Sequence, residues 1–161
     1  MSKNKKTVFI NGALGKMGQS VISACKSNSD LEVKYAVDVP VHPYLHDSIY
    51  SERDMKKYKL KDIKYSKAPS KLDVDLIIDF SSPKSSISLA KKAEGFRVPF
   101  VTGTTGFNSR QINELKKIVS SGQLFCKKRA TYRYDRSISI CYVNGADINS
   151  LMVKKWVGFS L

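Results

Sequence analysis

Short apolar runs alternate along this chain with segments in which apolar residues recur every three or four positions. The run Val8-Phe9-Ile10 predicts a first strand, and Lys16 to Lys26 predicts a helix with Met17, Val21, Ile22 and Cys25 along its inner face. Leu31 to Val37 reads as a second strand. Val74 to Phe80 is a nearly continuous apolar run, the pattern of a strand buried on both faces, and Val98 to Val101 predicts a fourth. Between these two, Pro83 is placed to open a helix through Ile87, Leu89, Ala90 and Ala93 that stops at Gly95. Ser109 is the expected cap of a further helix carrying Ile112, Leu115, Ile118 and Val119. Strands and helices in this order predict an α/β, Rossmann-like fold, a parallel sheet with helices on both faces and its ligand at the carboxyl ends of the strands. Val39 to Leu72 breaks the rhythm with Pro40, Pro43, Pro69 and dense charge, and no element is assigned there.

The turn after the first strand narrows the ligand class. Asn11-Gly12-Ala13-Leu14-Gly15-Lys16-Met17-Gly18 places three glycines at a spacing of three between a strand and a helix. Glycines so placed permit a tight turn and close main-chain approach, and the helix then directs its positive end at an anion such as a pyrophosphate. The same spacing also serves a plain strand-to-helix turn, so the loop alone leaves both readings open. Asp38, at the end of the second strand and 20 residues beyond Gly18, stands where a dinucleotide-binding unit carries the acid for the adenosine ribose. A solvated strand-end carboxylate is the alternative. No arginine follows Asp38, the nearest downstream being Arg53, so a 2′-phosphate would meet a carboxylate without a fixed guanidinium. NADH is therefore the expected cofactor, with NADPH as the alternative.

Composition adds mainly exclusions. With 161 residues the chain holds one domain with a real core, and is too short for a nucleotide domain plus a full catalytic domain. It has no apolar run long enough to span a membrane, and its charged start, Met1 to Lys6, precedes no apolar leader; a soluble, cytoplasmic protein with no membrane partner is expected. Cys25, Cys126 and Cys141 are odd in number and form no C-x-x-C pair, which points to reduced thiols and no metal site. His42 and His46 are four apart, but the intervening Pro43 argues against a metal-binding helix face. A net charge of +14 suits phosphate neutralisation, yet the lysines are scattered and no nucleic-acid-binding motif is present. A solvated lysine-rich surface is the expected reading rather than a nucleic-acid partner. The densest basic stretch, Lys127-Lys128-Arg129 with Arg133 and Arg136, is interleaved with Tyr132 and Tyr134, a pattern that binds RNA by charge and stacking in other settings.

Three motifs, in order and spacing, resemble the 4-hydroxy-tetrahydrodipicolinate reductase (dihydrodipicolinate reductase) family of lysine and diaminopimelate biosynthesis. They are the Gly12 to Gly18 loop ending in Lys16-Met17-Gly18, then Asp79-Phe80-Ser81-Ser82-Pro83, and the more specific Val101-Thr102-Gly103-Thr104-Thr105-Gly106-Phe107. The resemblance covers residues 6 to 120. It implies that Gly12, Ala13, Leu14, Gly15, Lys16 and Met17 wrap the pyrophosphate and that Asp38 holds the adenosine ribose. It further implies that Phe80 packs near the cofactor and that Gly103, Thr104 and Thr105 lie against its nicotinamide end. By the same resemblance the family reduces a cyclic imine or enamine with hydride from NADH or NADPH, usually as a tetramer.

The resemblance also implies a second domain, with a paired-histidine motif, a nearby lysine and a P-S-G-T segment that bind substrate and donate a proton. This chain has no His-His pair, no histidine after His46 and no P-S-G-T, so no catalytic residue is assigned and little reductase activity is expected of it. Residues 1–121 are expected to form the dinucleotide-binding domain and 122–161 a divergent tail. Two readings of that tail stand side by side. It is an unrelated or out-of-frame end that packs poorly, leaving a truncated reductase. Alternatively the substrate domain has been excised and Asn144-Gly145-Ala146 through Trp156 stands in for the family's closing helix, with Leu151, Val153, Val157 and Phe159 free to dock. A non-catalytic nucleotide-binding or regulatory module, and another small NAD(P)-dependent oxidoreductase, are the alternative functions.

Overall fold

The computed structural model describes residues 5–120, 124–132, 136–143 and 146–147. The chain divides into two compact units, Met1–Leu115 and Lys116–Leu161. In the first, strands β1 (Lys6–Asn11), β2 (Leu31–Val37), β3 (Tyr65–Ser66), β4 (Leu76–Asp79) and β5 (Phe100–Thr102) form one sheet in the order β3-β2-β1-β4-β5. All of its pairings are parallel. The chain lays down β1, β2 and β3 in one direction and then returns to the far side of β1 for β4 and β5. The topological switch therefore falls between β1 and β4, whose following loops diverge and open a crevice at the carboxyl edge.

Helices α1 (Lys16–Ser27), α2 (Glu52–Tyr58), α3 (Pro83–Gly95) and α4 (Ser109–Ser120) connect or follow the strands. Alternation along β1 sends its side chains to opposite faces. Val8 and Ile10 pack with Val21, Ile22 and Cys25 of α1, whereas Phe9 packs with Ile77 and with Leu89 and Ala93 of α3. Helices thus cover both faces, as the apolar pattern predicts. The Cys25 thiol, sealed under α1, is pushed up to about 11 by burial and stays protonated at neutral pH.

Several local expectations are corrected. Met17 lies on the outer side of α1, half exposed, and Gly18 takes the buried position beside Val21 and Ile22. The cap of α4 is Asn108, not Ser109: Asn108 Oδ1 accepts from the Gln111 N–H and Gln111 Oε1 accepts from the Asn108 N–H, a reciprocal box. Helix α3 ends at Gly95 as expected, but the left-handed residue that turns the chain is Arg97, at φ 54°. The irregular stretch before Leu72 holds α2, capped by Ser51, and the two-residue edge strand β3, neither long enough to show a period. In β2 the pairing passes from Val8 opposite Val33 to Phe9 opposite Tyr35, so Lys34 is an extra residue. This bulge lets Val33 and Ala36 face α1 although three positions apart.

The second unit holds an antiparallel sheet, β6 (Leu124–Tyr132), β7 (Arg136–Val143) and β8 (Ala146–Asp147), in the order β6-β7-β8. Lys127, Lys128, Arg129 and Tyr132 of the basic stretch lie along β6, and Arg136 opens β7. Cys126 stands opposite Cys141 in the ladder. Of the stretch from Asn144 through Trp156 expected to stand in for a closing helix, Ala146–Asp147 form β8, while Asn144, Gly145 and residues 148–161 lie outside the described part, as do Arg133 and Tyr134.

Asp75 ties the start of β4 to the start of β1. Its carboxylate accepts from the Thr7 N–H (2.8 Å), the Thr7 hydroxyl (2.9 Å) and Lys6 Nζ (3.0 Å). The Thr7 N–H foremost, then Lys6 and the Thr7 hydroxyl, hold its acid down to about 2. The ordinary aspartate value in an unfolded chain is about 4, so this contribution is present above about pH 4 and is lost as pH falls through about 2. Asp75→Asn is expected to lower stability at neutral pH and to flatten the decline of stability between those limits, measured by urea unfolding across the acid range; an unchanged slope would count against it.

Candidate functional site

Two adjoining clefts lie at the carboxyl edge of the first sheet, one of about 470 Å³ and one of about 260 Å³. Gly12, Gly15, Asp38 and Phe80 line the larger; Gly15, Lys16, Met17, Phe80, Gly103, Thr104 and Thr105 line the smaller. Of the residues expected at the site, Ala13 and Leu14 line neither. Ala13 is buried in the core and Leu14 packs against it.

Sterics explain the glycines. Gly12 has φ +75°, and a Cβ there would stand 2.3 Å from the Phe80 carbonyl oxygen. A Cβ on Gly18 would stand 2.2 Å from the Gly12 carbonyl oxygen, so the first turn of α1 rests directly on the loop. A Cβ on Gly103 would stand 2.1 Å from the Phe80 ring, which lies flush over that backbone. Gly15 is different. At φ −71° it is the N-cap of α1, and its nearest contact would be the Gly12 oxygen at 3.3 Å.

The loop's own N–H groups are already engaged. Those of Gly12 and Ala13 both donate to the Val37 carbonyl (2.9 and 3.0 Å), that of Leu14 to Asp38 Oδ2 (2.8 Å), and that of Gly15 to the Gly12 carbonyl (3.2 Å). The Gln19 N–H closes the first helical bond on the Gly15 carbonyl, so the N–H groups of Lys16, Met17 and Gly18 precede any intrahelical acceptor. No side chain caps this end and no acid sits in its first turn. Anion-binding capacity therefore lies in the first turn of α1, with the glycine loop shaping the approach. Behind the loop, Gln19 Nε2 donates to the Ala13 carbonyl (3.2 Å) and the Tyr65 hydroxyl (2.6 Å). Burial raises the Tyr65 phenol, and the Gln19 donation partly offsets this.

Asp38 is held from two sides. Oδ2 accepts from Leu14 and Oδ1 from its neighbour Val39 (2.8 Å), so the carboxylate fastens the glycine loop to the end of β2. Lys67, just beyond β3, shares the lining of this end of the cleft. At the other end stands a network that periodicity did not isolate, because Asp79 interrupts a run that otherwise reads as strand interior. Asp79 is fully buried, and its carboxylate accepts from Asn11 Nδ2 (2.8 Å) and the hydroxyls of Ser81 (2.6 Å), Thr102 (2.7 Å) and Thr104 (2.8 Å). Among the described residues there is no cluster of metal-ligating side chains.

A family model described as dihydrodipicolinate reductase, N-terminus, matches residues 6–128. The chain belongs to this family. A 4-hydroxy-tetrahydrodipicolinate reductase of Buchnera aphidicola subsp. Cinara cedri is 39% identical over 122 residues, covering 72% of this chain and 44% of the relative. The enzyme of the same name from Methanococcus aeolicus is 30% identical, covering 73% of this chain and 44% of its own. A dipicolinate-bound dihydrodipicolinate reductase of known structure from Paenisporosarcina sp. TG-14 aligns with TM-score 0.48 and 18% identity, over 73% of this chain and 44% of that one. The chain thus spans less than half the length of the curated relatives it matches. The match to the reductase N-terminus runs past Ser120 into β6.

Within this reductase N-terminus the three loop glycines are expected to differ in tolerance. Gly12→Ala and Gly18→Ala press a methyl onto backbone and should each cost about 2 kcal/mol or more. Gly15→Ala meets a single contact, the Gly12 carbonyl oxygen at 3.3 Å, which has to give by only a few tenths of an ångström, and should cost about 1 kcal/mol. Thermal unfolding of the three variants checks the order, and an equal cost at Gly15 would contradict the packing described.

Proposed function

We propose that the crevice binds a nicotinamide dinucleotide, NADH in preference to NADPH, as the cofactor half of a 4-hydroxy-tetrahydrodipicolinate reductase. The observation that carries this reading is the convergence, on one carboxyl edge, of an uncapped helix N-terminus, a fixed carboxylate and a glycine-backed aromatic wall. The residues present suit such a molecule. Lys16, Met17 and Gly18 offer main-chain donors to a pyrophosphate, with Gly12 and Gly15 leaving room for it. Asp38 Oδ1 and Oδ2 each keep acceptor capacity beyond the N–H they already hold, which suits the ribose hydroxyls. Phe80, Gly103, Thr104 and Thr105 frame the other end, a flat apolar surface beside hydroxyls and N–H groups. The bound cofactor would supply the hydride.

Preference between the cofactors follows from charge. A 2′-phosphate adds nearly two negative charges beside the Asp38 carboxylate. Lys67 offsets part of that from an exposed, flexible stem rather than a fixed fork. Fluorescence titration at low salt should find NADH bound more tightly than NADPH, and Lys67→Ala should weaken NADPH more than NADH. Equal or tighter NADPH binding overturns the preference.

Binding a cofactor and turning over are separate properties. Orientation of substrate and proton donation each contribute orders of magnitude to rate, and the paired histidines and P-S-G-T segment that the resemblance implies for them are not in this sequence. These 161 residues, assayed alone, are therefore proposed to bind NADH with very low reduction of the cyclic imine substrate class. Turnover comparable to an intact two-domain reductase, followed as NADH absorbance, would refute this.

A further inference from the structure

Asp79 has a role that the cofactor-binding residues do not cover. It is a carboxylate with no exposed surface, and its four donors come from the ends of three different strands: Asn11 from β1, Ser81 just after β4, Thr102 from β5 and Thr104 just after it. Each oxygen takes two of them, Oδ1 from Asn11 and Ser81, Oδ2 from Thr102 and Thr104. None of the four is cationic, so the charge is held by oriented dipoles alone. Such a group is costly to bury unless all its bonds are made at once, which makes the arrangement an all-or-none clasp.

The clasp sets the smaller cleft. The Ser81 N–H donates to Thr104 Oγ1 (2.9 Å), and the Gly103 N–H donates to the Asp79 carbonyl (2.8 Å), so the loops after β4 and β5 are joined side to side. That joining brings the Phe80 ring against Gly103 and leaves Thr104 and Thr105 on the cleft wall. The Thr102 hydroxyl proton is committed to Asp79, and its oxygen lies 3.2 Å from the fully buried Ser86 hydroxyl and 3.1 Å from the Thr104 N–H. Asp38, by contrast, fastens the glycine loop at the opposite end with no shared partner in this network.

We propose that Asp79 is the positioning residue for the nicotinamide end of the site: it locks the Phe80–Ser81 and Gly103–Thr104 segments into one preformed wall and leaves the adenosine end untouched. The inference rests on the dinucleotide reading above. Asp38 organises the far end of the crevice and Asp79 the nicotinamide end, with the clasp donors Asn11 and Ser81 lining the larger cleft between them. Loss of the clasp should cost affinity for the part of the cofactor that differs between NADH and ADP-ribose, and not for the part they share.

The test compares NADH with ADP-ribose, which lacks the nicotinamide ring, by calorimetric titration of the full chain. Asp79→Asn keeps the shape of the side chain but removes its charge. Thr102→Val removes one clasp donor from a residue that lines neither cleft. The affinity ratio of NADH to ADP-ribose is expected to fall about tenfold in Asp79→Asn and a few-fold in Thr102→Val, the scale of one charge-assisted hydrogen bond. ADP-ribose affinity should stay within about twofold, and the emission shift of bound NADH should diminish in both variants. An unchanged ratio, or equal weakening of both ligands, overturns the positioning role. Failure of the wild-type chain to bind either ligand overturns instead the cofactor reading beneath it. Thr102→Val supplies the same comparison if Asp79→Asn does not fold.

Discussion

At Gly12 the backbone of the first loop approaches the Phe80 carbonyl closely enough that a single methyl group would collide with it, and the carboxyl edge of the sheet is arranged around that approach. The approach seats the β1–α1 loop against the end of β4, across the switch point of the sheet. Gly18 then lets α1 rest on the same loop from the other side. With both faces of the loop occupied by backbone, its N–H groups turn inward to Val37, Asp38 and Gly12 itself, and the outward donors fall to the helix. A glycine-rich sequence thus does its work here mainly by steric permission, while the electrostatics belong to α1.

The long elements were legible because burial imposes a period on them. Phe9 between Val8 and Ile10, and Ile77 beside Ile78, face different helices, and the apolar pattern records both faces. Elements held by few residues left no such record. Strand β3 has two residues, and α2 buries none of its own, so neither shows a repeat. Met17 fits the helical spacing of the inner face but opens the first turn, where the loop and not the core is its neighbour. Asn108 and Ser109 are both good capping types, and only the reciprocal bonds with Gln111 decide between them.

The site was legible in part for a similar reason. Asp38 and the glycines sit at spacings that the strand and helix lengths impose, and the Gly103 to Phe107 stretch is distinctive enough to carry the family resemblance. Asp79 was visible only as a letter within a motif. Its partners Asn11, Ser81, Thr102 and Thr104 lie up to 93 positions apart, from Asn11 to Thr104, and become neighbours through the sheet order β1-β4-β5. A polar residue inside an apolar run was the available signal: burying a carboxylate demands donors, and the ends of adjacent parallel strands are where hydroxyls can supply them.

The extra residue in β2 bears on how the acid at its end comes to face the cleft. Upstream of Lys34 the strand pairs with β1 in one register, and downstream in another, so Val37 and Asp38 arrive one step later than a regular ladder would bring them. Without that residue the ladder would run directly from the pair Val8–Val33 to the pair Phe9–Tyr35, and Val37 and Asp38 would keep the sides they present while standing one position earlier in the sequence. The interval between a glycine loop and its acid is thus not a fixed ruler in this fold. It absorbs a local irregularity, and a homologous chain with a regular second strand would need its acid one position earlier to reach the same place.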